Sequence, residues 1–118
     1  MLIADDEALF VETIEALLAE DDRVEVVGTA ADGEEAVELA RSLEPDVILM
    51  DISMPTLDGI EAARKSREHV PAARILVLTG SSISADIDRS RQACVAAFLT
   101  KDRLGTQLVD AILDLASR

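Results

Sequence analysis

A chain of 118 residues is the size of one ordinary domain. Apolar residues make up 49% of it, enough for a single core, but aromatics are only 2% and Trp and Tyr are absent, so the core has to be aliphatic and few side chains are suited to stacking on bases. The net charge of −13 argues against a nucleic-acid footprint or attraction to anionic lipid; it leaves cations and basic protein surfaces as charged ligands, beside the plainer reading that excess acid keeps the domain soluble.

Apolar residues at 1–4 form a run too short to be more than a strand. Residues 7–19 carry Leu9, Phe10, Ile14, Leu17 and Leu18 at helical spacing. The β-branched stretch 24–30 predicts a second strand, and Asp32-Gly33 a turn and helix cap. Residues 34–43 place Ala36, Val37, Leu39, Ala40 and Leu43 on one helical face, stopped by Pro45. Val47, Ile48, Leu49 and Met50 are continuously apolar, as in a strand covered on both faces, and the run stops at Asp51. Pro55, Asp58 and Gly59 lead into a helix over 60–68. A second fully apolar strand spans 75–78 and stops at Thr79. Residues 84–94 predict a weak helix with little more than Ile87 on its apolar side, followed by a strand over 96–99 ending at Thr100 and Lys101. Leu104, Leu108, Ile112 and Leu115 form a last helical stripe.

Five strands alternating with five helices predict an α/β fold: a doubly wound, five-stranded parallel sheet in the flavodoxin-like (βα)5 order 2-1-3-4-5, forming one domain over residues 1–118. Cys94 is alone in an apolar run and His69 has no partner at metal-ligand spacing, so the expected roles are core packing and a surface helix position. No apolar run approaches a membrane span and the first residues do not read as a signal peptide, which makes the cytoplasm the expected location.

Open parallel sheets bind ligands beyond the carboxyl ends of their strands, where strand order reverses. Asp5, Asp6 and Glu7 follow the first strand, Asp51 the third, Thr79, Gly80, Ser81 and Ser82 the fourth, and Thr100 and Lys101 the fifth. In the 2-1-3-4-5 order the first and third strands are neighbours, so Asp6 and Asp51 converge. Clustered carboxylates repel unless one is protonated or a cation joins them; a hard divalent ion, Mg²⁺ foremost or Mn²⁺, suits oxygen ligands. A carboxylate so placed can attack phosphorus and form an aspartyl phosphate. Lys101 offers an ammonium, Thr79 a hydroxyl and Gly80 an unobstructed backbone N–H to the resulting dianion. Taken singly, each residue has a bland alternative: Asp5 to Glu7 as helix caps, Asp51 as a turn cap, Thr79 as a strand end and Lys101 as a solvated charge. Their joint position along one sheet edge favours the phosphoryl reading.

The runs Leu2-Ile3-Ala4-Asp5-Asp6-Glu7, Asp51-Ile52-Ser53-Met54-Pro55 with Asp58-Gly59, Leu78-Thr79 and Phe98-Leu99-Thr100-Lys101-Asp102 together resemble the receiver domains of two-component response regulators. The likeness is greatest to the NarL/FixJ-type subgroup, because Asp102 rather than Pro follows Lys101. The resemblance implies Asp51 as phosphoacceptor, Asp6 as direct metal ligand, Asp5 as a ligand acting largely through water, and the Ser53 carbonyl as completing the metal site. It also implies Thr79 and Phe98 as the switch pair and Lys101 as the phosphate-binding lysine. A histidine kinase as donor, a phosphorylation-dependent homodimer, a switching face formed by the 84–94 helix with the last strand and helix, and transcriptional control through a DNA-binding output domain are implied in the same way. The domain would catalyse only its own phosphorylation and dephosphorylation. Cys94 and Ala97 in place of glycines, and Gly105-Thr106 in place of a Pro-acid pair, depart from the subgroup's pattern away from the phosphoryl chemistry.

Three other readings share parts of this pattern. A haloacid-dehalogenase-type phosphatase combines Asp, Thr, Lys and Mg²⁺, but needs an Asp-x-Asp motif after the first strand, whereas the third strand here ends in Asp51-Ile52-Ser53. A flavodoxin-like cofactor carrier needs a hydroxyl- and glycine-rich loop where this chain has Asp5-Asp6-Glu7. A receiver reduced to an interaction module would not need the acidic set.

Overall fold

The computed structural model describes residues 1–51, 59–79, 97–100 and 104–116. The expected 84–94 helix, Cys94, Ser53, Gly80 and Lys101 lie outside them. The described elements are β1 (Leu2–Ala4), α1 (Ala8–Ala19), β2 (Gly28–Ala30), α2 (Gly33–Leu43), β3 (Val47–Asp51), α3 (Gly59–His69), β4 (Arg74–Thr79), β5 (Ala97–Thr100) and α4 (Leu104–Ala116). All five strands are parallel, in the order β2-β1-β3-β4-β5, as the alternating pattern predicts. The direction of winding reverses between β1 and β3.

The period of two along the strands sorts the core into two layers. Leu2, Ala4, Ile48, Met50, Ile75 and Val77 face α2 and α3. Ile3, Val47, Leu49, Leu76, Leu78 and Leu99 face α1 and α4, which contribute Ile14, Leu18, Leu108, Ile112 and Leu115. The layers differ in grain: the α2–α3 side is closed by Ala36, Ala40, Ala62, Ala63 and Ala73, the α1–α4 side by leucines and isoleucines. Small side chains let α2 and α3 lie close to each other and to the sheet. No aromatic side chain is in the buried core among the described residues.

Local signals account for the helix ends. Asp32 caps α2, its carboxylate accepting from the Glu35 N–H at 2.8 Å. Glu44 stops the same helix in the left-handed region (φ 46°), because the following Pro45 disfavours a further helical residue. His69 is exposed at the end of α3, as expected.

Two expectations are corrected. The second strand is confined to Gly28–Ala30 rather than 24–30. β2 is an edge strand whose sole neighbour is β1, with Leu2 opposite Gly28, so residues before 27 have no strand to pair with. Two bonds at Met1 continue the contact: the Val27 N–H donates to the Met1 carbonyl at 2.9 Å, and the Met1 amino group donates to the Glu25 carbonyl at 2.7 Å. Leu9 was expected on the apolar face of α1 but is 79% exposed. The stripe that packs runs through Phe10, Val11, Ile14, Leu17 and Leu18, and Leu9 falls outside it.

Ser66 of α3 is fully buried among the alanines, and its Oγ finds no hydrogen-bond partner among the described residues. An unpaired buried hydroxyl costs about 1–3 kcal/mol, and alanine is the better helix former. Ser66→Ala is therefore expected to stabilise the domain by about 1 kcal/mol. Circular dichroism in a urea titration checks this in a chain without Trp or Tyr; an unchanged or lower midpoint would mean that Ser66 has a partner.

Candidate functional site

The strand register brings the acids together. Ala4 lies opposite Met50 on neighbouring parallel strands, so Asp5, one residue past β1, and Asp51, the last residue of β3, stand side by side at the carboxyl edge. Alternation assigns both to the face of Ile3 and Leu49, beneath the start of α1. Both are buried, at 2% and 3% exposure, while Asp6 is exposed. One carboxylate oxygen from each of Asp5, Asp6 and Asp51 lies within 4.8 Å of the others.

The capping alternative is answered in part. Glu7 is the N-cap of α1 and makes no side-chain capping bond. Asp5 accepts from the Glu7 N–H at 2.9 Å, and its own N–H donates to the Ala30 carbonyl at 3.0 Å. These bonds fix the turn that turns Asp5 inward, so its carboxylate serves both the turn and the cluster. The positive end of the α1 dipole adds some favourable field for the acids.

Thr79 ends β4, one residue beyond Leu78, which lies opposite Asp51. It is paired in register with Thr100 of β5, and Phe98 with Val77. The backbone thus puts Asp51, Thr79 and Thr100 along one edge, in the order that the sequence predicts. Lys101 follows Thr100 in the chain, outside the described residues, as do Ser53 and Gly80. Glu12 and Glu35 were not singled out in the sequence; with Asp5 and Asp6 they border a depression of about 270 Å³ beside the cluster. Both sit on ordinary polar helix positions, and only the tertiary structure reveals their place.

The donor set consists of oxygens alone, two of its three carboxylates are buried, and no Cys or His joins it among the described residues. That composition fits a hard divalent cation of the Mg²⁺ class rather than zinc.

An open parallel sheet with three carboxylates gathered where its winding reverses is a scaffold for cation-assisted chemistry at an oxygen-rich edge. Residues 1–113 match the response regulator receiver domain family. The transcriptional regulatory protein PdtaR of Mycobacterium tuberculosis is 42% identical over 120 residues, covering 100% of this chain and 57% of its own length. The transcriptional regulatory protein LnrK of Bacillus subtilis is 33% identical over 117 residues, covering 99% and 53%. The chain spans about half the length of these curated relatives. The signal receiver domain of the putative response regulator NarL from Mycobacterium tuberculosis superimposes with a TM-score of 0.93 at 36% identity, covering 98% of this chain and 94% of that one. The chain belongs to the receiver-domain family of two-component response regulators. No helix among the described residues is long and apolar enough to cross a membrane.

Proposed function

We propose that residues 1–118 form one phosphoacceptor switch in which Asp51 takes a phosphoryl group from a histidine kinase or a small phosphodonor. The observation that carries this reading is the meeting of Asp5, Asp6 and Asp51 within 4.8 Å at the point where the winding reverses. An Asp51 carboxylate oxygen attacks phosphorus in line, the bond from phosphorus to the donor breaks, and the donor (an imidazole, for a phosphohistidine) leaves with the electron pair. Asp5, Asp6, Asp51 and the Ser53 carbonyl would hold Mg²⁺ or Mn²⁺, which when bound offsets the negative charge on the phosphoryl oxygens. The Thr79 hydroxyl, the Gly80 N–H and the Lys101 ammonium donate to the phosphorylated side chain. Thr79 and Phe98 then shift the face made of residues 84–94, β5 and α4.

The domain acts on no external metabolite: it promotes its own phosphorylation and the hydrolysis that resets it. A homodimer formed on that face and a DNA-binding output domain complete the proposal; a role in transcription is supported by the names of the relatives, and a further domain by the part of their length that lies outside the match. The net charge of −13 argues that this domain itself does not bind DNA.

A ³²P-labelled small acyl phosphate tests the proposal. We expect one label per chain, released by hydroxylamine as an acyl phosphate is, and lost when EDTA replaces Mg²⁺. A label that resists hydroxylamine or ignores EDTA would remove the reading.

A further inference from the structure

At the opposite end of the sheet from the acids, a groove of about 330 Å³ opens beneath the amino ends of β1 and β3. Its apolar wall is formed by Val24, Val27, Leu43, Pro45, Ile112 and Leu113. Two of these, Val27 and Leu43, are among the three large hydrophobic residues left exposed among the described residues, at 43% and 40%. Both line the groove, and Leu43 lies over Gly28, which has no side chain: a Cβ there would meet the Leu43 Cδ1 at 2.8 Å. The groove is at the small end of the range for ligand pockets, with room for side chains of a peptide rather than a large cofactor.

The charge around the groove indicates what could fill it. Glu25, Glu44 and Asp46 line it with exposed carboxylates. The carboxyl ends of α2 and α4 both reach it, and α4 has no basic residue in its last turn to balance its negative pole. Among the described residues that line it, the one basic side chain, Arg23, is already engaged. Arg23 donates to Asp21 at 2.7 Å, and that hydrogen bond pulls the Asp21 carboxyl down to about 2. A second copy would bring the same three carboxylates against these, and nucleic acid or anionic lipid would be repelled.

We propose that this groove docks a short peptide segment of a partner protein that carries aliphatic side chains flanked by Lys or Arg. The aliphatic side chains enter between Val27 and Leu43, and the cationic groups reach Glu44 and Asp46. This surface is separate from the phosphoryl site, and the proposal does not depend on that site's role.

The test uses the full chain and two capped peptides, Lys-Leu-Leu-Lys-Leu-Leu-Lys and its Glu counterpart, followed by ¹⁵N NMR titration. The Lys peptide is expected to shift, saturably, the amides of residues 24–28, 43–47 and 112–116, and the Glu peptide to leave them in place. The double variant Glu44→Gln/Asp46→Asn is expected to weaken binding about fivefold, as loss of two rim charges does. Leu43→Ser, whose fold the same spectra verify, is expected to weaken it as well, and Asp51→Asn to leave it unchanged. Shifts centred on Asp5, Asp6 and Asp51, shifts that do not saturate, or unchanged affinity in both groove variants would overturn the proposal.

Discussion

Asp51→Asn is expected to take up no phosphoryl label while keeping the fold. The change is nearly isosteric: an amide replaces a carboxylate at the end of β3, a residue 3% exposed and held in the parallel ladder opposite Leu78. The amide nitrogen and oxygen are poor nucleophiles, so the attacking group is lost without removing packing. The label should fall at least about a hundredfold, to background, as when a nucleophile is deleted from a site that otherwise remains intact. Glu7 and Asp46 provide controls, since one occupies the N-cap position of α1 outside the carboxylate cluster and the other lies at the far end of the sheet. Their amide variants should label as the parent does. If Asp51→Asn labels equally well, the acceptor is another residue and the proposed switch is wrong.

The position of Asp51 could be read from the sequence because two local signals agree. A short apolar run bounded by turn residues suits a strand covered on both faces, and the first charged residue after it falls at the end of that strand. The order of strands was legible for a related reason: alternating short strands and amphipathic helices leave few open arrangements. Leu9 is apolar and close to helical spacing, but hydrophobicity alone does not place a residue on the packed stripe, which Phe10 and Val11 occupy. β-branching in 24–27 is only a local preference for strand, whereas the ladder with β1 covers Gly28–Ala30. Asp5 carried the least sequence signal. Its burial comes from a turn bond to the Glu7 N–H and a tertiary bond to the Ala30 carbonyl, neither of which the run Asp5-Asp6-Glu7 reveals. Nor could the sequence show that Leu43, at the end of α2, would lie over Gly28 and line one groove with Val27.

Mg²⁺ is expected to raise the thermal midpoint of the unphosphorylated domain, and Asp6→Asn to remove most of that rise. Three carboxylates within 4.8 Å repel, by about 3 kcal/mol per pair at an effective dielectric constant of about 20, before any relaxation. Folding without a cation bears part of that cost, because Asp5 and Asp51 are buried. A divalent ion reverses the sign of the interaction and binds only where the fold has gathered the three oxygens. At about a hundred times its dissociation constant it should add about 2.7 kcal/mol, roughly 10 °C in a domain of this size. Asp6 is the exposed member of the cluster, so its amide variant removes a charged ligand at little cost to the core. Asp51→Asn, which removes a charged member of the cluster, should also blunt the response to Mg²⁺. Any salt screens the self-repulsion of a chain with a net charge of −13, so a rise with Mg²⁺ alone proves nothing. The decisive quantity is the rise beyond that given by NaCl at matched ionic strength. If that excess is absent from the parent, or survives in Asp6→Asn, the cluster is a patch of acids rather than a cation site.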